Sequence, residues 1–198
     1  MVKKSDVPQH IIDTAMTLAR ERGWRDMSLA DVADAAKLPL SQVHAIYPSK
    51  QAILRGFTRM IDARVIADED ADAGAEPAKD RLFDILMRRL DALTPYKEAL
   101  AAIAHDQGRD PFAAACGAGR LACSMATMLE AARLSTSGLR GVIRVKALTG
   151  VYLATLRVWF REDAPDLPKT MASLDRYLTR IDGCARRFER KRPEPAAV

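Results

Sequence analysis

The residues from Met27 to Leu54, MSLADVADAAKLPLSQVHAIYPSKQAIL, carry the densest chemistry in the chain. Two short amphipathic runs are joined by a tight break at Lys37-Leu38-Pro39. In the second run, about two turns long and ending at Ile46, Val43 and Tyr47 are spaced i, i+4 and are expected to face inward. That leaves Leu40, Ser41, Gln42, His44 and Ala45 outward. A helix lying wholly in a core would show more apolar residues on that face. Gln42 can offer a bidentate amide to an adenine edge in the major groove. Ser41, His44 and Lys50 can reach phosphates, as can backbone N–H groups at helix starts. The pattern points to a helix-turn-helix, in which one helix braces a second whose N-terminal residues meet base edges.

Other chemistry is sparse. The sequence contains no phosphate-cradling glycine loop, no nucleophile elbow and no metal-ligand cluster. His105-Asp106 beside Asp110 reads as a helix end rather than an acid–base pair. The cysteines are Cys116, Cys123 and Cys184. Cys116 and Cys123 fall on one helix face two turns apart, too far along the axis for a disulfide. Neither catalysis, a cofactor nor a metal is expected.

These residues need elements to position them, and nearly everything reads as helix. No stretch sustains strand alternation with β-branched enrichment. A first helix is expected over about 8–22, with Pro8 in its first turn, an apolar stripe of Ile11, Ala15, Leu18 and Ala19, and Gly23 as its stop. Ser28 caps a second helix, with Asp31 three residues on in a capping-box position. Tyr47-Pro48 ends the third helix, and Ser49 caps a fourth that carries Ile53, Leu54, Phe57 and Ile61. The acidic segment 67–78 reads as a linker. Longer helices follow at about 77–92, 95–106, 110–132, 137–161 and 166–190, bounded by Pro95, Pro111, Pro165, Pro168, Gly108 and the turn at 135–138.

With 198 residues the chain can bury a full core without a metal or disulfide. Its net charge of +5 is mild, but residues 176–192 hold seven basic and two acidic side chains. A charge run of this kind is usually a solvated helix face. No apolar run approaches the ~18 residues of a membrane span. The N-terminus has no secretory h-region. A cytoplasmic protein is expected, and membrane contact through the basic last helix is not.

Residues 11–57 resemble the TetR family of bacterial repressors. The shared order is an apolar first helix ending in Gly, a Ser-capped second helix (SLADVA), a short recognition helix, and an aromatic-Pro-Ser-Lys element (YPSKQAIL) opening the fourth. The resemblance implies an all-α homodimer of about nine helices. A DNA-binding domain at 1–66 would precede a helical effector-binding and dimerisation domain at 67–192 and a disordered tail at 193–198. It implies a repressor that responds to a small ligand and acts on a pseudo-palindromic operator. Carried over by position, Ser28, Gln42, His44, Tyr47 and Lys50 match the DNA-facing positions, with Ser41 added from the outward face. The chain departs from the family pattern at three positions. Lys37 stands where Gly is usual in the turn, Pro39 where a small polar cap is usual, and His44 where Tyr is usual.

Residues 145–181 also resemble the end of the TetR-fold, lipid-binding accessory protein of ubiquinone biosynthesis. That likeness implies an apolar, isoprenoid-like ligand, and offers as an alternative a lipid-binding protein with a vestigial DNA-binding motif. Stripes in the larger domain supply effector-pocket candidates: Phe83, Met87, Leu90, Met125, Met128, Tyr152, Leu156 and Trp159. The last two long helices are expected to form the dimer. They offer Leu139, Val142, Ile143, Lys146, Ala147, Gly150 and Val151 on one, and Met171, Leu174, Leu178 and Ile181 on the other.

Overall fold

A computed structural model describes residues 6–67 and 76–190, with 184–190 described by backbone alone. The middle of the acidic linker and the tail at 193–198 lie outside the described residues. Within those residues the chain is all-α. Nine helices follow in order: α1 (Val7–Arg22), α2 (Leu29–Ala36), α3 (Leu40–Ile46), α4 (Lys50–Ala67), α5 (Ala78–Leu93), α6 (Lys97–Gln107), α7 (Pro111–Ala131), α8 (Gly138–Trp159) and α9 (Pro168–Arg190). A 3-10 turn, Thr94–Tyr96, leads into α6.

The helix ends follow from local chemistry. Gly23, at φ 84°, closes α1 and donates its N–H to Ala19 O. Ser28 and Asp31 form a reciprocal capping box at the start of α2: Asp31 N donates to Ser28 Oγ at 3.2 Å, and Ser28 N donates to Asp31 Oδ2 at 2.8 Å. The turn after α2 takes the left-handed conformation at Lys37, φ 56° and ψ 41°. A lysine therefore stands where glycine would be free, at a cost of about 1 kcal/mol. Two bonds hold it there, from Lys37 N to Asp34 O and from Leu38 N to Ala33 O. Pro39 makes no side-chain cap for α3, but its carbonyl accepts from Gln42 N and Val43 N. Ser49 Oγ accepts from Ala52 N and caps α4.

The chain divides into two compact units, residues 1–69 with 88–127 and residues 70–87 with 128–198. In the first, α1 packs on α2, α4 and α6, and α2 packs on α3. Its core is built from Ile11, Ala15 and Ala19 of α1, Val32 of α2, Val43 of α3, and Ile53 and Ile61 of α4, each at most 1% exposed. In the second, α8 packs along α9 around Leu148, Tyr152, Trp159, Leu174 and Leu178. Leu174 and Leu178 thus turn into the chain's own core and are not available to a partner.

Glu162 starts α9. Its carboxylate is buried and accepts from Lys169 N, Thr170 N and Thr170 Oγ1 at 2.7, 2.7 and 2.5 Å. It serves as the acidic cap at a helix N-terminus, reaching back from the preceding loop. Burial alone would raise its pKa, but these bonds together outweigh burial and hold it below the ordinary value.

Candidate nucleic-acid interface

Helix α3 presents one side chain inward and several outward. Val43 is fully buried, while Ser41, Gln42, His44 and Ala45 are exposed. The break at 37–39 and the packing of α2 on α3 make α2 the brace and α3 the presented helix. Tyr47 is half-buried rather than fully inward, and its ring packs against α4 at Gly56. A Cβ at Gly56 would come within 2.6 Å of the Tyr47 ring, so glycine there is what lets the ring seat. Burial raises the Tyr47 pKa. Ser28 is exposed with its hydroxyl in the capping box.

Lys50 is placed differently from the outward residues. Its Nζ donates to Trp24 O at 2.7 Å and Arg25 O at 3.0 Å, and lies 5.6 Å from the Trp24 ring centroid. In the free protein it ties the start of α4 to the loop between α1 and α2. Burial lowers its pKa, opposed by the charges of Asp26, Asp106 and Asp31.

The same loop is held from the other side by Asp106, near the end of α6. Its Oδ2 accepts from Trp24 N at 2.8 Å and Arg25 N at 2.9 Å. Sequence reading passed over this residue as a helix end. An available signal was its position: a carboxylate in the last turn of a helix is disfavoured by the helix dipole unless it is engaged elsewhere. Its pKa is lowered chiefly by the Arg25 N–H, against burial and with help from Trp24 N–H. The folded pKa thus lies below the unfolded one. The unfolded chain binds more protons in that window, so stability rises with pH through it and is lost as pH falls below about 4. We expect Asp106→Asn to flatten the fall of the urea midpoint below that pH relative to the parent chain. Parallel curves for the two proteins would show that Asp106 takes no part in acid unfolding.

A further polar cluster lies in the same unit. Ser124 Oγ donates to Asp62 Oδ1 at 2.7 Å, and Arg89 Nε donates to Asp62 Oδ1 and to Ser124 Oγ, each at 3.2 Å. All three residues are buried. The sequence offered one hint, an acid at position 62 inside the apolar stripe of α4.

The eight effector-pocket candidates separate. Leu90 and Met125 are fully buried in the first unit; Met128, Tyr152 and Trp159 are fully buried in the second, where Phe83, Met87 and Leu156 are half-buried. Among the described residues no group of three or more His, Cys, Asp or Glu is arranged to hold a metal.

A braced short helix with an exposed polar face, in an all-helical arrangement of the described residues, defines a helix-turn-helix motif. Residues 11–56 match the family model for bacterial regulatory proteins of the tetR family. The structure is similar to a TetR transcriptional regulator from Nitrosomonas europaea, with TM-score 0.72 and 22% identity over 89% of this chain and 98% of that one. It is also similar to a TetR regulator from Rhodococcus sp. RHA1, with TM-score 0.64 and 17% identity over 90% and 97% of the two chains. A third is Thermus thermophilus FadR, a TetR-family repressor in complex with lauroyl-CoA, with TM-score 0.57 and 18% identity over 96% and 100%. No curated protein matches the sequence closely. The N-terminal domain is that of the TetR-family transcriptional regulators, and the whole chain carries their fold.

Proposed function

We propose that the protein is a cytoplasmic, ligand-responsive repressor that binds a pseudo-palindromic operator as a homodimer. The observation that carries this reading is α3: Val43 anchors it, and Ser41, Gln42 and His44 stand exposed on its outward face. Gln42 is assigned to a base edge; Ser41 and His44 to phosphates. Ser28 and Tyr47 hold the motif's geometry and adjoin the backbone of the DNA. Lys50 reaches phosphate only on leaving the Trp24 and Arg25 carbonyls, and otherwise positions α4.

The dimer is assigned to α8 and α9. Leu139, Val142, Ile143 and Leu153 are 77, 49, 58 and 42% exposed on α8, and Met171 is exposed on α9. Exposed apolar side chains in one stripe mark an association surface. Two-fold symmetry would set two copies of α3 at successive major grooves. The effector is a small, largely apolar molecule bound by the helices after α4, with Phe83, Met87 and Leu156 the accessible members of the candidate set. FadR, which shares the fold, is a precedent for an acyl ligand. The domain division at residue 66 and the absence of catalysis belong to the same reading. A ligand acts only through differential affinity for two states of the protein.

Operator binding over a salt series tests it. The parent chain should bind one site near its own gene at nanomolar-range Kd, resistant to competitor DNA. Gln42→Ala should cost about 1–3 kcal/mol at that site and relax base preference at one position. Weak, steeply salt-dependent, sequence-blind binding would replace this reading with the lipid-binding accessory protein.

A further inference from the structure

Arg120, on α7, is a half-buried cation. Its Nη1 donates to Gln51 Oε1 of α4 at 2.6 Å, and its Nη2 lies 3.5 Å from Gln107 Oε1 of α6. Both partners are neutral. Among the described residues no carboxylate meets it. Burial lowers its pKa, opposed by neighbouring Cys116 and reinforced by the positive charge of Arg55. Enclosing a charge without a compensating one is costly, which marks Arg120 as a candidate functional group.

A second observation points the same way. Gln107 Nε2 is a buried donor with no acceptor among the described residues. Its amide is pressed against α7 at Gly117, where a Cβ would come within 2.8 Å of Gln107 Oε1. A guanidinium and an unfilled N–H donor therefore converge from α7 and α6. Two parallel donors match the two oxygens of a carboxylate. One formal charge suits a monoanion better than a phosphate dianion.

We propose that Arg120 and Gln107 form an anion-binding site within the first unit that takes the carboxylate of a small ligand, with Gln51 displaced when it is occupied. The proposal rests on the ligand-responsive reading above and gives the ligand a chemical class, a molecule bearing one carboxylate. It also places the signal beside the DNA-binding motif. An anion on Arg120 competes with Gln51 for the guanidinium. Gln51 follows Lys50, whose ammonium holds the Trp24 and Arg25 carbonyls; Gln107 follows Asp106, whose carboxylate holds the N–H groups of the same two residues. Displacement of Gln51 and engagement of Gln107 thus act on both ties to the α1–α2 loop.

Thermal unfolding of the full chain tests this, with formate, octanoate and inorganic phosphate each compared with chloride at equal ionic strength. Octanamide is the neutral control. The expected result is stabilisation by the two carboxylates and not by octanamide. Arg120→Met should unfold at the parent's temperature or above it, because it removes an uncompensated charge, and should weaken octanoate binding at least about tenfold. Gln107→Leu, which fills the same volume, should weaken it too while keeping the fold. Equal effects of octanoate and octanamide, an unchanged octanoate response in both variants, or stabilisation by phosphate alone would each overturn the assignment. So would an absence of any anion effect. Operator binding measured on the same samples separates the two readings. An Arg120-dependent octanoate response without operator binding removes the repressor and leaves the site; operator binding without that response does the reverse.

Discussion

Arg89→Met should lower the unfolding free energy by about 3–5 kcal/mol, the largest stability loss expected from one substitution in the chain. Arg89 Nε donates to Asp62 Oδ1, as does Ser124 Oγ. Both charged side chains are nearly out of solvent, at 5 and 11% exposure. Attraction between the pair offsets the desolvation of each, so the intact pair contributes little net stability over an apolar pair of the same size. Removing one member leaves the other's desolvation uncompensated. Methionine keeps most of the arginine's length, which limits the cavity and isolates the electrostatic effect. Asp62→Leu added to Arg89→Met should therefore recover most of the loss. Denaturant midpoints of the parent, single and double variants close the cycle. A single-variant loss below about 1 kcal/mol would mean that water reaches Asp62 and that the triad is a surface pair in effect.

Ile143→Asp should convert the protein to a monomer and weaken operator binding by about 100-fold or more, since linking two half-site contacts raises avidity by ~10²–10⁴. Ile143 lies within the exposed apolar stripe that runs from Leu139 to Leu153 on α8. A carboxylate at that point would have to be desolvated twice in a two-fold interface, once from each copy, against its own symmetry mate. The substitution leaves the core of the second unit alone, because Leu148, Tyr152 and Trp159 lie on the opposite face of the same helix. Gly150, exposed within the stripe, has open space around its Cβ position, and Gly150→Glu provides a second probe of the same surface. Sedimentation velocity and DNA titration read the two effects together. A dimeric Ile143→Asp protein with unchanged operator affinity would place the interface elsewhere.

The sequence made the helical architecture legible because helix ends are decided within a few residues. The box at Ser28 and Asp31, the stop at Gly23 and the cap at Ser49 join groups at most four positions apart, and all three appear in the structure as read. The order of the nine helices among the described residues and the outward face of α3 follow from these signals and the 3.6-residue period. Lys37 shows the limit of a residue preference. The turn keeps its left-handed geometry although the residue that favours it is absent, because two backbone bonds and the packing of α2 on α3 outweigh a cost of about 1 kcal/mol.

What the sequence by itself determined is therefore a set of elements and one presented surface, the polar face of α3. The tertiary structure alone decided how the remaining polar residues are used. Lys50 is separated by 26 residues from the carbonyl it holds, and Asp106 by 82 from the N–H it accepts. Ser124 lies 62 residues from Asp62, and Arg120 lies 69 from Gln51. No local period encodes such pairs. Each arises only when the apolar stripes of separate helices have packed, and burial then makes an unmatched charge costly enough to select its partner, or to leave a place for one.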